Sequence, residues 1–167
     1  MPARNPRELF VMLLSEARQN TQLSAKIYNE ISQQAQDPDI KEALEARAWI
    51  VEKDLSAIDR CFELMGEQPV QLSSHRQELI VEDFRKELAE IQNPAAKAVF
   101  ILSKAERLNH ARIAEYEGLV EAADVSGHYA IGLLLESCLA DKLVFIERTR
   151  RFIRNLVATK VAARVAA

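Results

Sequence analysis

The sequence predicts an all-α protein, a four-helix bundle in which two antiparallel hairpins are joined by a long crossover containing a short fifth helix. Apolar residues make up 49% of the 167 residues, and only 4 glycines and 5 prolines interrupt them. Apolar side chains recur at helical spacing in four long segments. Two of the three connections between these segments are tight, whereas the third spans about 25 residues, beyond the usual range for helix–helix links.

The chain is interpreted as one domain over residues 1–167. Each of three helices is predicted to begin at a capping residue followed by proline, because that pair satisfies free N–H groups and fixes the first turn. These pairs are Asn5-Pro6, Asp37-Pro38 and Asn93-Pro94, and Gly66 and Gly127 mark helix ends. The predicted helices cover residues 6–36, 38–65, 78–92, 94–124 and 127–156, with a fraying helical tail at 157–167.

The connection lengths predict how the helices are arranged. The short link at residues 36–39 makes the first two long helices antiparallel neighbours, and the turn Val125–Gly127 does the same for the last two. The long segment between the hairpins carries the chain from one end of the bundle to the other. This connectivity is ferritin-like and differs from simple up-down-up-down winding.

Composition narrows the classes of partner and compartment. A net charge of −3 gives no general attraction for nucleic acid or anionic lipid. No apolar run approaches the length of a membrane span, and the N-terminus lacks the apolar core of a signal peptide. Cys61 and Cys138 form neither a disulfide framework nor a zinc pattern. We therefore expect a cytoplasmic protein that binds neither nucleic acid nor membrane.

Polar residues fall in the middle of the apolar stripes, where they need partners. Glu106 and His110 lie four residues apart on one face of the fourth predicted helix. A metal pair could satisfy such groups, and so could hydrogen bonds and ion pairs among the groups themselves. We predict a buried polar centre made of Arg47, Asp54, Glu106, His110 and Asp141. In it, Arg47 points inward and pairs with Glu106, Asp54 or Asp141.

Three stretches resemble the YciE/YciF-like ferritin-like family of bacterial, stress-associated proteins. They are NHARIAEYEGLVEAADVSG (109–127), FELMGEQP (62–69) and GLLLESCLADK (132–142). The resemblance covers nearly the whole chain. It implies a ferritin-like bundle and a di-metal site built from inward glutamates and histidines of all four long helices.

The sequence departs from the family at most of these implied ligands. Counting only the four long helices, the implied ligands are replaced as follows. The glutamate of the first becomes Thr21, and in the second the histidine becomes Arg47 and the glutamate pair Trp49-Ile50. The glutamates of the third become Asn109 and Arg112, and the glutamate pair of the fourth becomes Ala140-Asp141. Only His110 and Asp141 keep residue types that bind metal, with Glu16 as a substitute on the first helix.

The chemistry of the remaining residues argues against a di-metal site. Such a site needs about four carboxylates and two imidazoles in one place. The sequence contains no Glu-x-x-His motif, and Arg47 would repel divalent cations. We therefore predict a metal-free centre without a cofactor. The alternative is iron or manganese held by Glu16, Glu106, His110 and Asp141.

The function predicted from these features is non-catalytic: a structural or stress-associated binding protein. The first alternative is a di-iron or di-manganese oxidase with a non-standard site. The second is a nucleic-acid binder that uses the basic end of the last helix, at Arg148, Arg150, Arg151 and Arg154. No nucleophile triad, phosphate loop or dinucleotide motif favours another enzyme class.

The sequence also predicts a homodimer. Phe10, Leu14, Tyr28 and Leu72 add apolar surface to the outer faces of the first hairpin and the crossover. This is more apolar surface than a small monomer usually exposes.

Overall fold

The computed structural model describes residues 3–71 and 75–165, excepting the side chains of 75–81, 156, 157 and 159–165. The chain folds into helices α1 (Pro6–Gln34), α2 (Pro38–Met65), α3 (His75–Glu90), α4 (Pro94–Val125) and α5 (Tyr129–Val165), and no strand occurs among these residues. The predicted all-α class is confirmed. α3 begins three residues earlier than predicted, and α5 continues through most of the predicted tail.

The predicted helix starts are confirmed by their hydrogen bonds. The Asn5 side chain accepts a hydrogen bond from Glu8 N at 2.9 Å, and Glu8 in turn accepts from Arg4 N at 2.8 Å. Asp37 caps α2 by accepting from Asp39 N and Ile40 N. Asn93 does the same for α4. A proline follows each cap in the first turn, so local sequence fixes where these three helices begin.

Two glycines end helices in the left-handed conformation that other residues avoid. Gly66 has φ 65° and Gly127 has φ 76°. Beyond Gly66, Glu67 N donates back to Phe62 O at 3.1 Å, and beyond Gly127, His128 N donates to Ala123 O at 2.8 Å. The second of these turns folds α5 directly back along α4.

The helices pack as two hairpins laid against each other. α1 packs along α2 and α4 along α5, and the hairpins meet where α1 contacts α4 and α2 contacts α5. α3 lies against α1 and α4. Around the bundle the order is therefore α1, α2, α5, α4, with α1 and α5 on a diagonal. The predicted pair of hairpins joined by a long crossover is confirmed.

The core consists of two apolar clusters, one towards each end of the bundle. The turn-end cluster, near the α4–α5 turn, includes Phe10, Leu14, Ile58, Tyr116, Leu119, Ile131 and Leu135. The link-end cluster, near the α1–α2 link, includes Tyr28, Ile31, Leu44, Val51, Ile101, Leu102 and Phe145. Between the two clusters, all four long helices contribute polar residues.

The apolar residues that suggested a dimer lie elsewhere than predicted. Phe10, Leu14 and Tyr28 are fully buried within the protomer, so their predicted placement on an outer face was wrong. Leu72 lies outside the described residues. Over the described residues, no helix is both long and apolar enough to cross a membrane.

Candidate functional site

Four buried polar side chains meet between the two apolar clusters, and we call them the middle polar layer: Arg47 and Asp54 on α2, Asn109 on α4 and Lys142 on α5. Each is at most 2% exposed. α1 contributes Thr21, also buried, whose hydroxyl donates to Ala17 O of its own helix at 2.7 Å. Burying charged groups is costly unless they pair, so the contacts within this layer determine what it can do.

The shortest contact in the layer is an ion pair between α2 and α5. Lys142 Nζ lies 2.6 Å from Asp54 Oδ2, and both side chains are about 97% buried or more. A second proton of Lys142 Nζ is donated to Cys138 O at 3.3 Å. The ammonium also lies 3.7 Å from the centre of the Tyr116 ring, which attracts a cation electrostatically.

A second chain of hydrogen bonds joins α2, α4 and α5. Arg47 Nη2 donates to Asn109 Oδ1 at 2.9 Å, and Asn109 Nδ2 donates to the carbonyl oxygen of Lys142 at 2.6 Å. Arg47 Nη2 is also 4.0 Å from Asp54 Oδ2. The guanidinium carbon lies 5.7 Å from the Tyr28 ring centre and 5.3 Å from that of Phe145. These contacts fix the register of α2, α4 and α5 relative to one another.

The layer holds two basic groups and one carboxylate. Burial lowers the pKa of Lys142, and the attraction of Asp54 opposes that shift. Burial raises the pKa of Tyr28 to about 12, although Arg47 acts to lower it. Burial also raises the pKa of the Cys138 thiol to about 12, and the nearby Asp54 charge adds to this. The phenol and the thiol are therefore neutral at ordinary pH and supply neither nucleophile nor base.

The layer has more hydrogen-bond donors than acceptors. Arg47 Nε and Nη1 and the Tyr116 hydroxyl are buried and have no hydrogen-bond partner among the described residues. An arginine cannot give up its proton to relieve this imbalance. The ring faces of Tyr28 and Phe145 supply part of the missing stabilisation of Arg47.

The structure brings only part of the predicted polar centre together. Arg47 and Asp54 lie in the layer, but Glu106, His110 and Asp141 do not. His110 is half exposed, with Nε2 3.8 Å from Glu106 Oε1, and Glu106 is held on the outside by Arg150. Asp141 is 38% exposed and lies 3.9 Å from Lys53. The inward placement of these three residues was wrong.

Two further residues lie outside the layer. Glu16, the predicted substitute ligand on α1, is exposed. Trp49, which stands at an implied ligand position on α2, is 65% exposed. Glu16, Glu106, His110 and Asp141 consequently do not converge, and no group of three or more potential metal ligands exists among the described residues.

The residues that are present do not fit a pair of metal ions. Asp54 is the only carboxylate in the layer, and Lys142 Nζ already occupies its Oδ2 atom. Arg47 adds a cation that cannot be neutralised. The remaining layer side chain, Asn109, is a weak neutral ligand, and it is engaged by Arg47. The charge that a cation would bring to such a centre is already supplied by the protein.

Sequence reasoning missed Asn109 and Lys142, although a signal was present for both. Lys142 lies four residues after Cys138 and three before Phe145, so it shares a helix face with two apolar residues. Asn109 and Lys142 immediately precede and follow the predicted His110 and Asp141, and one residue turns a helix by about 100°. The resemblance also places implied ligands at Thr21, Arg47 and Asn109, and all three are buried.

These observations define a class: an all-α protein of two hairpins and a crossover, with a paired polar layer at mid-bundle. A family model described as "Domain of unknown function (DUF892)" matches residues 5–162, and the chain belongs to this family. No protein with a curated description matches the chain.

Solved structures share the fold. The Escherichia coli stress protein YciF has a TM-score of 0.86 at 16% identity, covering 93% of this chain and 99% of its own. YcfI of Rhodopseudomonas palustris, described as a candidate structural protein, has a TM-score of 0.82 at 19% identity, covering 90% and 98%. A Xanthomonas campestris pv. campestris protein has a TM-score of 0.72 at 17% identity, covering 93% and 99%. At these identities the likeness shows the fold alone.

Proposed function

We propose that this protein is a non-catalytic, cytoplasmic structural or stress-associated protein whose ferritin-like bundle uses a paired polar layer where related bundles use metal. It acts by binding through its surfaces, as a homodimer. The descriptions of YciF as a stress protein and of YcfI as a candidate structural protein support this role.

The observation that carries the proposal is the Lys142–Asp54 pair at 2.6 Å, with Arg47 beside it. An ammonium group replaces the positive charge of a metal ion and needs no loading or redox cycle. Burial raises the pKa values of the Cys138 thiol and of the Tyr116 phenol, whose ring centre lies 3.7 Å from the Lys142 ammonium, so the groups beside the pair are poor nucleophiles. The layer therefore serves to hold three helices in register.

Metal content of the purified protein tests the proposal. Protein from cells grown with added iron and manganese should contain far less than one metal ion per chain. Added Fe²⁺ or Mn²⁺ should leave the melting temperature unchanged, because a ligand that binds only the folded state would raise it. Asp54→Asn removes the layer's carboxylate, and Asp141→Asn is the matched change at the half-exposed neighbour of Lys53.

A stoichiometric metal would overturn the proposal, and the two variants would then locate it. Loss of the metal in Asp54→Asn alone would place it in the layer. Loss in Asp141→Asn alone would place it outside the layer, at the surface beside Lys53. Either result would favour the metal-dependent alternative.

A further inference from the structure

The outer surface of α5 carries an unusual apolar stripe. Leu133 and Val144 are 68% and 62% exposed, Leu143 is 50% exposed, and Ala140 lies exposed between them. Leu133 lies seven residues, or two turns, before Ala140, and Leu143 and Val144 lie three and four residues after it, so these side chains share one side of the helix. Single exposed apolar side chains are ordinary on a protein surface, whereas a contiguous apolar patch marks an interaction surface.

The two sides of the bundle differ in how they are covered. After α2 the chain returns along α1, where Val70 N donates to Ser15 Oγ at 2.9 Å, and α3 lies against α1 and α4. The side formed by α2 and α5 has no such layer among the described residues. Among the side chains that the structure describes, ten large apolar ones are exposed, and six of them belong to these two helices: Trp49, Leu64, Tyr129, Leu133, Leu143 and Val144.

Two charged residues flank the central part of the apolar stripe in a self-complementary order. Glu136 lies one turn before Ala140 and Arg148 one turn after Val144, and both are exposed on α5. Neither makes an ion pair within the described part of the chain. Twelve residues separate them, which is about 18 Å along a helix. Ala140 and Val144 lie symmetrically between them, four residues from Glu136 and from Arg148 respectively.

We propose that the α2–α5 side binds a second copy of this chain, with the two α5 helices antiparallel across a two-fold axis at the level of Lys142. Ala140 then faces Val144 of the other copy, and Glu136 faces Arg148. A two-fold axis makes every such contact twice, so one acidic and one basic residue per chain give two ion pairs. Small Ala140 near the axis lets the helices approach closely.

Trp49 extends this surface onto α2. α2 and α5 run antiparallel, because Asp54 contacts Lys142 while Arg47, earlier in α2, contacts Phe145, later in α5. Lys53 lies 3.9 Å from Asp141, so Trp49, one turn earlier on α2, is level with the α5 residues one turn after Asp141. The 65% exposed indole therefore lies at about the level of Val144 along the bundle, and it extends the exposed apolar surface onto α2. An apolar centre with a charged rim is typical of protein interfaces.

This inference rests on the homodimer of the proposed function, and mass measurement in solution tests it. We expect the wild-type chain to sediment as a dimer at tens of micromolar. Ala140→Glu puts like charges at the axis and should yield a monomer with an unchanged helical spectrum. Ala111→Glu is the matched control, since Ala111 is an exposed alanine on α4, and it should remain a dimer.

A charge exchange tests the pairing itself. Glu136→Arg and Arg148→Glu each place like charges opposite one another and should each weaken the dimer by about tenfold. Mixing these two variants should restore association, because each copy then offers the partner the opposite charge at both contacts.

A wild-type monomer at these concentrations would overturn the inference. So would a dimer that persists in Ala140→Glu, or single charge variants that gain nothing on mixing, because the second copy would then bind another face. The dimer interface is tested by the mass of the protein in solution, whereas the metal-free centre is tested by its metal content. Either proposal can therefore fail without the other.

Discussion

The two apolar clusters and the middle polar layer occupy the same core but are stabilised differently. Residues such as Leu44 and Leu135 are fully buried and gain free energy from leaving water, with little dependence on which apolar group they touch. Asp54 and Lys142 are equally buried, yet their burial is favourable only because each has the other within 2.6 Å.

Because of this difference, the clusters and the layer contribute differently to the stability of the fold and to the choice of helix register. The clusters would tolerate a helix shifted by a turn if volume were kept, whereas the layer would not. A shift of one turn along α5 would leave Asp54 without its ammonium and would break the Asn109 contact with the Lys142 carbonyl. We infer that the clusters supply most of the free energy of folding and that the layer selects one register.

The largest expected effect comes from removing the single carboxylate of the layer. Asp54→Ala leaves Lys142 and Arg47 as buried cations without an anion, so it should lower the free energy of unfolding by about 3–5 kcal/mol. Asp59→Ala is the matched control on the same helix, because Asp59 pairs with Arg18 at 2.6 Å but is 44% exposed. It should cost less than about 1 kcal/mol. Urea unfolding followed by circular dichroism measures both, and equal costs would contradict the distinction.

A truncation within a cluster should come next. Leu44 is completely buried in the link-end cluster, and Leu44→Ala should cost about 3 kcal/mol through lost burial and the cavity left behind. Leu64→Ala, at a half-exposed position of α2, should cost much less.

A conservative exchange sharpens the same comparison. Leu44→Met keeps the volume and apolar character of the side chain and should cost under about 1.5 kcal/mol. Asp54→Asn keeps the shape of the side chain, but it removes the charge that Lys142 and Arg47 require, so its cost should approach that of Asp54→Ala. If Asp54→Asn proved as mild as Leu44→Met, the layer would be no more specific than the clusters.

Alkaline pH should lower the free energy of unfolding, because the Tyr28 phenol and the Cys138 thiol are buried in their protonated forms. The pKa of Tyr28 is about 12 in the folded chain against 10.0 unfolded, and that of Cys138 about 12 against 9.0. The folded state keeps these protons while the unfolded state loses them, so stability falls as pH rises through these ranges, by at most about 1.4 kcal/mol per pH unit and group.

Lys142 acts in the opposite direction over a lower range. Its pKa is lowered in the folded chain, so the unfolded state binds more protons and stability rises with pH until the unfolded value of 10.5. The two effects oppose each other below pH 10.5, where Lys142 still differs between the two states, and only the fall remains above that pH. Urea midpoints between pH 9 and 11.5 should show this, and Tyr28→Phe should flatten the fall. A steady rise across the whole range would contradict it.

The smallest effects come from a matched pair of tyrosines, both fully buried. The Tyr28 hydroxyl donates to Ala105 O at 3.2 Å, so Tyr28→Phe should cost about 1 kcal/mol at neutral pH. The Tyr116 hydroxyl has no partner among the described residues, so Tyr116→Phe should cost nothing or stabilise. A large loss in Tyr116→Phe would show that its hydroxyl is used.

The sequence by itself determined the number of helices, their starts and the pairing of helices into hairpins. These features depend on local chemistry: the Asn5, Asp37 and Asn93 caps with their prolines, the glycine turns and the apolar periodicity. The departure from the implied metal ligands was also readable, because replacing a histidine by Arg47 changes charge whatever the packing.

Only the tertiary structure decided which polar residues share the core. A stripe read from sequence has an error of about one residue, and one residue rotates a side chain by about 100°. That error exchanges Asn109 for His110 and Lys142 for Asp141, and so reverses the sign of the charge at the α5 position. The ion pair that results joins residues 88 positions apart, so no local pattern could reveal it. The partner of Asp54 was fixed only when α5 packed against α2.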